Sequence, residues 1–333
     1  MSEVLAVGGH PLTYGGFMVT TYDPNPLNLP AYTLRFLFDD STYDPSSYSW
    51  GTDTAWTRVS TEPNIWDYSR TGTGTNLTDW NYAFSDYGAS LRNVSCAVLG
   101  GNTTGVTNML GLFYAANKLR SVASFDMGGV TNMAGMFRGC SSLTSIPWYD
   151  TQWVTNMDDL FWECTSLTHV PCLNTSRVTQ MYRMFYSCTS LTQVPLFDTR
   201  NVIDMRGMFA SCTSLQSVPL FITTSVTSMS SMFSGCHALM QVPLFDTRNV
   251  TDMKNMCSSC NIITIPLFRT DKVTNMDYAF NSCYRVSSGS LALYQQASTQ
   301  ATPPSSHVGT FTDCGRYSTT GRAELAQIPV GWK

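Results

Sequence analysis

The sequence predicts an α/β fold: a right-handed solenoid of short parallel strands and short helices, preceded by a small β-rich N-terminal domain. Three observations predict it. A 24-residue unit recurs through most of the chain, and the first 70 residues do not share it. Within each unit the apolar residues follow first a helical and then a strand-like spacing. One such unit cannot bury its apolar face, whereas stacked units can, so neighbouring strands are expected to lie parallel.

The repeat is marked by a valine that keeps its phase through the chain. Val-Thr-Asn-Met begins at residues 106, 130, 154 and 273, and degenerate copies fill the gaps. The valine recurs with six steps of 24 residues and one of 23, at Val106, Val130, Val154, Val178, Val202, Val226, Val250 and Val273. Eight copies therefore span residues 106–290. The right hand is expected because parallel crossover connections almost always have it.

Within each copy the residue pattern predicts a short helix and then a short strand. Met133, Met136, Phe137 and Cys140 lie at i, i+3, i+4 and i+7, which is one face of a helix. The threonine before them is expected to cap the helix. The strand follows, as at residues 143–146, and ends at a proline, which lacks the N–H that a ladder needs.

Most of the eleven cysteines occupy one repeat position. They are Cys140, Cys164, Cys188, Cys212, Cys236, Cys260 and Cys283. We predict a buried ladder of free thiols, because free cysteine behaves as a small hydrophobe. Cys257 and Cys260 form a Cys-x-x-Cys pair, but Cys257 holds the place of Phe233 in the previous copy. No second pair or nearby histidine completes a metal site, so no metal or cofactor is predicted.

The Asn-Met-x-x-Met-Phe and Cys-x-x-Leu hallmarks resemble the BspA type of leucine-rich repeat, over about residues 77–290. The resemblance implies a leucine-rich-repeat solenoid. Members of that family look like surface-exposed adhesins of bacteria and protists, and related repeats occur in proteins of gut bacteria and their phages. The family has no catalytic residues that could be carried over to this chain.

The N-terminal flank is interpreted as two further units. Residues 1–70 predict a β-rich anchoring or docking domain, in which Tyr32–Phe38 is a strand and Trp56–Val59 is its hairpin partner. Residues 71–105 predict an atypical first repeat that caps the open core, with Trp80 in the first methionine position.

The C-terminal flank, residues 291–333, predicts a cap and tail. Leu291–Ala297 is expected to be a short capping helix, and Ser298–Ser306 resembles a linker. Trp332 is expected to pack on the last turn of the repeats.

Composition and charge exclude several classes of partner. Charged residues make up 13% of the chain, the net charge is −4, and only four residues are lysine. Without a basic patch we expect neither nucleic acid nor an anionic membrane as a partner. No apolar run approaches the roughly 18 residues of a membrane span. The first residues lack the basic segment and apolar stretch of a secretory signal, and with Met1 retained we expect a protein that did not pass through the signal-peptide route.

No catalytic arrangement stands out in the sequence. The four histidines are far apart, and the pairs Asp39–Asp40 and Asp158–Asp159 are interpreted as solvated carboxylates. A row of equivalent positions could bind Ca²⁺ between turns: Asp126, Asp150, Asn174, Asp198 and Asp246. Ile222 and Arg269 interrupt this row, so local capping of turns is the better interpretation. The protein is not expected to be an enzyme.

The most informative variable position follows the phenylalanine of each copy, where aromatic residues and arginine occur in four successive copies. These types are enriched in binding hot spots. The candidate contact residues are Tyr114, Arg138, Trp162, Tyr182, Tyr186 and Trp153. Three interpretations stay open: contact with an external ligand, packing against a subunit or the N-terminal domain, and aromatic residues that merely lie on the surface.

These observations favour a non-enzymatic phage virion protein, such as a head or tail fibre or a decoration protein, located in the virion. The solenoid is expected to bind a host surface protein or glycan, and the N-terminal region other virion proteins. We expect a homo-oligomer, because weak glycan contacts gain from multivalency. The alternatives are a BspA-type adhesin on the bacterial cell surface and a glycan-active enzyme with an unrecognised site.

Overall fold

The computed structural model describes residues 27–39, 54–59, 64–70, 80 and 95–333. Over these residues the protein is mixed α/β, with five strands in one sheet and two α-helices near the C-terminus. The strands are β1 (Thr33–Phe38), β2 (Thr54–Arg58), β3 (Ile65–Arg70), β4 (Cys96–Asn102) and β5 (Leu119–Val122). The helices are α1 (Ser290–Thr299) and α2 (Thr319–Gln327), followed by a 3₁₀ turn at Val330–Trp332. None of the helices described is long and apolar enough to cross a membrane.

The sheet has the order β2-β3-β1-β4-β5. Its central strand β1 confirms the strand predicted at Tyr32–Phe38, and it runs antiparallel to both β3 and β4. The predicted hairpin between β1 and Trp56–Val59 is wrong, because β2 pairs with β3 instead. Strand β3 takes the place beside β1, where Asp67 accepts a hydrogen bond from Arg35 at 2.8 Å. Strand β4 pairs in parallel with β5 and so leads into the repeats.

Successive copies of the repeat are joined at equivalent positions. Single parallel bridges run through Asn108, Asn132, Asn156, Gln180, Asp204, Ser228, Asp252, Asn275 and Ser306. Further backbone hydrogen bonds connect each copy to the next at other positions, as from Phe137 N–H to Leu160 O at 3.0 Å. The predicted short strand, as at residues 143–146, is not formed, since the parallel pairing is made by these single bridges.

The short helix predicted in each copy is wrong as well, because the segment is a run of tight turns. Cys140 N–H donates to Phe137 O, three residues back, at 3.0 Å, whereas Phe137 N–H donates to the next copy. Gly139 has a φ of 76° and its equivalents in other copies also lie in the left-handed region, which interrupts a helix. The turns still place the predicted apolar residues on one face, so the burial pattern survives.

The capping role expected for the threonine belongs to the residue that follows it. Thr155 Oγ1 donates to Thr131 O of the preceding copy at 3.2 Å. The side chain of Asn156 instead accepts a hydrogen bond from Asp158 N–H at 2.8 Å and so caps the first turn. This arrangement makes the threonines a ladder between copies.

One continuous core of buried side chains runs from β1 to the 3₁₀ turn. Phenylalanine rings of successive copies stack, with 5.4 Å between the ring centroids of Phe161 and Phe185 and 5.5 Å between those of Phe185 and Phe209. The predicted burial of the cysteine ladder is confirmed. Each ladder sulfur donates to a main-chain carbonyl of an earlier copy, as Cys188 Sγ does to Phe161 O at 3.0 Å.

The N-terminal end of the core is closed by the sheet. Trp80 is buried, and its main-chain N–H donates to Asn108 O at 2.8 Å. Met109 N–H makes the equivalent bond to Asn132 O in the next copy, so Trp80 holds the first methionine position as predicted. Phe36 of β1 packs against Phe113 with ring centroids 6.5 Å apart. Strands from residues 1–70 and the first repeats therefore share one sheet and one core, while the proposed limits at residues 70, 105 and 290 stay predictions.

The C-terminal end carries one more turn than the sequence pattern indicated. Met276 N–H donates to Ser306 O at 2.7 Å and Phe280 N–H to Thr310 O at 2.8 Å. Phe311 stacks on Phe280 at 6.0 Å, so the chain resumes the repeat at Ser306, the residue where the predicted linker ends. Helix α1 confirms the predicted capping helix, and Trp332 packs on Phe311 as predicted.

Candidate binding surface

Five of the six predicted contact residues lie together on one surface, and two further arginines join them. We call this set the Arg–aromatic cluster. It consists of Tyr114, Arg138, Trp162, Tyr182, Arg183, Tyr186 and Arg206. Its members come from successive copies, because equivalent positions of stacked copies lie side by side.

Trp162 lies at the centre of the cluster and contacts two guanidinium groups. The guanidinium carbon of Arg138 is 3.9 Å from the Trp162 ring centroid and 5.3 Å from that of Tyr114. Arg183 is 4.6 Å from the Trp162 ring centroid, and the Tyr186 ring lies 4.9 Å away. Each cation–π contact of this kind stabilises by about 0.5–1 kcal/mol at exposed sites. The cluster therefore holds its side chains in fixed orientations before any ligand binds.

A second part of the cluster surrounds Tyr182. The guanidinium carbon of Arg183 is 4.5 Å from the Tyr182 ring centroid, and that of Arg206 is 5.0 Å from it. Arg206 is also held by Asp204 through an ion pair of 2.6 Å. Arg183 thus links the rings of Trp162 and Tyr182.

Trp153, the sixth candidate contact residue, lies outside the cluster. Its ring contact is with Arg177, whose guanidinium carbon is 4.3 Å from the Trp153 ring centroid. Trp153 stands just before the valine of its copy and not after the phenylalanine, so it lies in a different row. Its side chain is 44% exposed.

Two carboxylates beside the cluster are half-buried, which corrects the interpretation of Asp158–Asp159 as a solvated pair. Burial raises the pKa of Asp158 to about 6, and the nearby Asp204 and Asp159 add to the effect. The hydrogen bond from Tyr182 N–H and the charge of Arg206 oppose it. Burial also raises the pKa of Asp159, against the attraction of Arg138 and Arg183.

The position of Asp158 follows from an exception in the repeat. The third residue of a copy, counted from its valine, caps the turn in the copies that begin at Val154 and Val202. There Asn156 and Asp204 accept hydrogen bonds from the N–H two residues on, as Asp204 does from Arg206 N–H at 2.9 Å. The copy between them has Gln180 at that position, and Asp158 reaches across from the previous copy to accept from Tyr182 N–H at 2.7 Å. This carboxylate therefore fixes the backbone that carries Tyr182.

Two polar atoms of this surface are buried without a hydrogen-bond partner. They are Trp162 Nε1 and Asp159 Oδ1. An unsatisfied buried polar group costs roughly 1–3 kcal/mol. Asp159 binds Arg138 at 3.3 Å through its other oxygen.

A groove of about 550 Å³ runs beside the cluster across four copies. It is lined by Ala115, Asn117, Gly139, Ser141, Glu163, Thr165, Ser187 and Thr189. Half of these residues directly follow the members of the aromatic row, so the row forms one margin of the groove. Asn117 Oδ1 is a third buried atom without a partner. A Cβ on Gly139 would lie 3.2 Å from Ala115 Cα, so glycine lets these two copies approach closely here.

The predicted aspartate row caps its own turns, as expected. Asp150 accepts from Gln152 N–H at 3.2 Å, and Asp246 from Arg248 N–H at 3.1 Å. Asp246 also pairs with the Arg248 side chain at 2.6 Å. Among the residues that the structure describes, no group of three or more His, Cys, Asp or Glu side chains is placed to hold a metal ion.

Sequence reasoning missed Arg183, Arg206, the buried carboxylates and the groove. The two arginines could have been found, because Arg183 directly follows Tyr182 and Arg206 holds the position of Tyr182 in the next copy. Asp159 and Arg183 both have left-handed backbones, with φ of 55° and 51°, at a position where glycine stands in other copies. The predicted helix would give this segment right-handed backbone angles throughout, so it did not indicate the left-handed conformation that these positions share.

A comparison with protein families identifies the repeat region. The family model of Mycoplasma proteins of unknown function, DUF285, matches residues 78–194 and 169–264, together more than half of the chain. The chain belongs to this family. The two overlapping matches agree with a repeated unit, since one DUF285 model fits the chain in two positions. No curated protein and no solved structure gives a significant match.

Proposed function

We propose that this chain is a non-enzymatic binding protein of a phage virion, a head or tail fibre or decoration protein that presents its repeats to the host surface. Residues 106–290 would form a right-handed leucine-rich-repeat solenoid of the BspA type. The parallel bridges between equivalent residues, from Asn108 to Ser306, support this arrangement. The hand follows from the general preference of parallel crossovers.

The observation that carries the binding role is the Arg–aromatic cluster beside the groove. Trp, Tyr and Arg are the residue types that dominate binding energy at interfaces. The groove itself is lined by polar side chains such as Ser141, Glu163 and Thr165. Glycan hydroxyls both donate and accept, so an extended glycan is the ligand that this groove favours, with a host surface protein as the alternative. Since two arginines contact Trp162, the ligand would contact ring edges more than ring faces.

Attachment to the particle is assigned to the N-terminal region, residues 1–70, through other virion proteins. A homo-oligomer would present several copies of the cluster, and weak sites that act together gain overall affinity. Neither nucleic acid nor a membrane is proposed as a partner, because the chain has a net charge of −4 and few lysines.

The description of the family, which names Mycoplasma proteins, favours a second candidate. The chain would then be an adhesin on a bacterial cell surface, with the same binding surface in use. Antibodies against the purified protein distinguish the two. Labelling of phage particles supports the virion role, and labelling of intact bacteria without phage supports the adhesin.

Binding is tested with the full-length protein on host cells and on a glycan array. Trp162→Ala and Arg138→Ala should each weaken binding by about tenfold or more, as for hot-spot residues. Ser258→Ala is the matched control, because Ser258 holds the position of Trp162 in a copy that contributes no residue to the cluster. Equal binding by all variants would contradict the role of the cluster. Cleavage of the bound glycan by the wild-type protein would instead revive the enzyme alternative.

A further inference from the structure

Arg183 differs from the other two arginines of the Arg–aromatic cluster, because no carboxylate holds its side chain. Arg138 is paired with Asp159 at 3.3 Å, and Arg206 with Asp204 at 2.6 Å. The guanidinium group of Arg183 makes neither a hydrogen bond nor an ion pair with the residues that the structure describes, and its contacts are with aromatic rings. All of its N–H donors are therefore without an acceptor from the protein.

The surroundings of Arg183 remove part of its water. The residue is half-buried, and its guanidinium carbon lies 4.6 Å, 4.5 Å and 5.8 Å from the ring centroids of Trp162, Tyr182 and Tyr186. A charge that loses water without gaining a partner is costly. An anion that pairs with Arg183 would offset this cost.

The N–H groups of Arg183 are within reach of a ligand. Its nitrogens are not closed off from solvent, in contrast to Trp162 Nε1. A planar guanidinium that packs on rings keeps the N–H groups along its edge available. Gly207 of the next copy leaves room for this side chain, since a Cβ there would lie 3.1 Å from Arg183 Cγ.

This arrangement indicates the chemistry of the ligand. The guanidinium edge suits a carboxylate or a sulfate, which can accept two parallel N–H bonds and carries the opposite charge, whereas a sugar hydroxyl carries no charge. We propose that the ligand of the cluster is an acidic glycan, whose carboxylate or sulfate group pairs with Arg183. The assignment rests on the proposed function and deepens it by naming the class of glycan.

The acidic residues nearby restrict where the acid group of the ligand can lie. Glu163 lines the groove and would repel an acid group there. Asp159 and Asp204 are neutralised by their own arginines, and Asp158 accepts from the main-chain N–H of Tyr182 at 2.7 Å. The acid group is therefore assigned to the cluster, and the neutral part of the sugar chain to the groove.

The test uses the full-length protein and pairs of glycans that differ only in their acid group. An array carries sialylated, uronic-acid and sulfated oligosaccharides, each beside its methyl ester or its unsulfated form. The wild-type protein should bind an acidic member at least about tenfold more tightly than its neutral form, because hydrogen bonds between charged groups are strong. The sialylated and uronic-acid pairs report a carboxylate, and the sulfated pairs a sulfate.

Arg183→Asn should abolish this preference for the acidic form. Asn255 holds the same position in another copy with a similar left-handed backbone, φ of 54° against 51°, so the variant should fold, and its thermal midpoint checks this. Arg177→Asn is the matched control. Arg177 also contacts a ring, at 4.3 Å from the centroid of Trp153, but it lies outside the cluster, so this variant should keep the preference.

The outcomes separate the class of glycan from the proposed function. Equal binding of acidic and neutral forms by the wild type overturns the role of Arg183 and leaves glycan binding in place. A preference that survives Arg183→Asn, or that Arg177→Asn also abolishes, overturns that role as well. Binding to none of the glycans, with retained binding to a host surface protein, contradicts the glycan ligand itself.

Discussion

Phe185 contributes to the packing of three copies at once. Its ring is buried and lies nearly parallel to those of Phe161 and Phe209, at interplanar angles of 14° and 2°. Truncation at this position would remove contacts on both sides of the ring. Since interiors are close-packed, the neighbours cannot fill the space without loss.

Phe185→Ala should therefore lower the free energy of unfolding by roughly 3–5 kcal/mol, the range for a buried phenylalanine. Ser234, the half-buried residue that follows Phe233, provides the control, and Ser234→Ala should cost less than about 0.5 kcal/mol. Urea unfolding followed by fluorescence compares the midpoints of the variants. Equal losses at both positions would show that the buried face is wrongly assigned.

Asp158 makes stability depend on pH in the acid range. Its pKa is 3.8 as an unperturbed carboxyl and about 6 in the folded protein, where burial disfavours the charge. Between these values the folded state binds more protons than the unfolded state. The free energy of unfolding should therefore fall as the pH rises from about 4 to about 6, and stay lower above that.

Asp158→Asn keeps an oxygen that can accept from Tyr182 N–H but carries no charge. This variant should lose the acid-range slope due to position 158 and melt at a higher temperature than the wild type at neutral pH. The measurement is the thermal midpoint of both proteins across about pH 4 to 7. An unchanged slope would show that the buried carboxylate does not titrate as described.

At the scale of the repeat, the sequence allowed the buried positions to be predicted but not the backbone that holds them. Met133, Phe137 and Cys140 are buried as expected, because helical spacing and a run of tight turns place the same residues inside. The left-handed positions could not be predicted, since they are filled by Gly135, Asp159 and other residue types in different copies. Only the inter-copy hydrogen bonds make that conformation favourable, and these are long-range in sequence.

For the candidate site, the row of aromatic residues and arginine could be predicted from the sequence, whereas the carboxylates and the groove could not. The row after the phenylalanine places Tyr114, Arg138, Trp162 and Tyr186 side by side because equivalent positions align in space. The carboxylates and the groove depend on depth below the surface, which a single sequence does not encode. The pairing of Asp158 with Tyr182 N–H depends on one exception, Gln180, whose effect appears only in three dimensions.

The burial of the cysteine ladder predicts how fast the thiols of this protein react with a thiol reagent. Burial raises the pKa of Cys212 and of Cys314 to about 12, whereas Cys172 is exposed. Because the thiolate is the reactive form, Cys172 alone should react quickly with a thiol reagent in the native protein, and all eleven cysteines after denaturation.

Cys172→Ser should remove the fast phase of that reaction. A reductant should leave the thermal midpoint of the wild-type protein unchanged, since the ladder sulfurs donate to main-chain carbonyls, as Cys212 Sγ does to Phe185 O at 3.0 Å. A loss of several degrees on reduction would show that disulfides close the turns.

At the scale of the whole molecule, the N-terminal strands serve two purposes in this interpretation. Residues 1–70 are proposed to attach the protein to a particle, yet β1 and β3 also belong to the sheet that covers the first repeats. Leu34, Phe36 and Phe38 are buried in the same core as Phe113. The proposed anchor and the N-terminal cap of the repeats therefore overlap in sequence.

This overlap decides how the anchor can be tested by truncation. Removal of residues 1–70 should destabilise the repeats, because it deletes β1, β2 and β3 and exposes the apolar side of β4 and the ring of Phe113 to water. Removal of residues 2–26, which precede the described part of the chain, leaves all three strands in place and should keep the thermal midpoint within a few degrees of wild type.

Circular dichroism compares the two deletions, and incorporation into particles is then scored for the folded one. A chain of residues 71–333 that melts like the full protein would show that the sheet does not cap the repeats. A shorter deletion that folds but fails to join its particle would place the attachment within the first 26 residues.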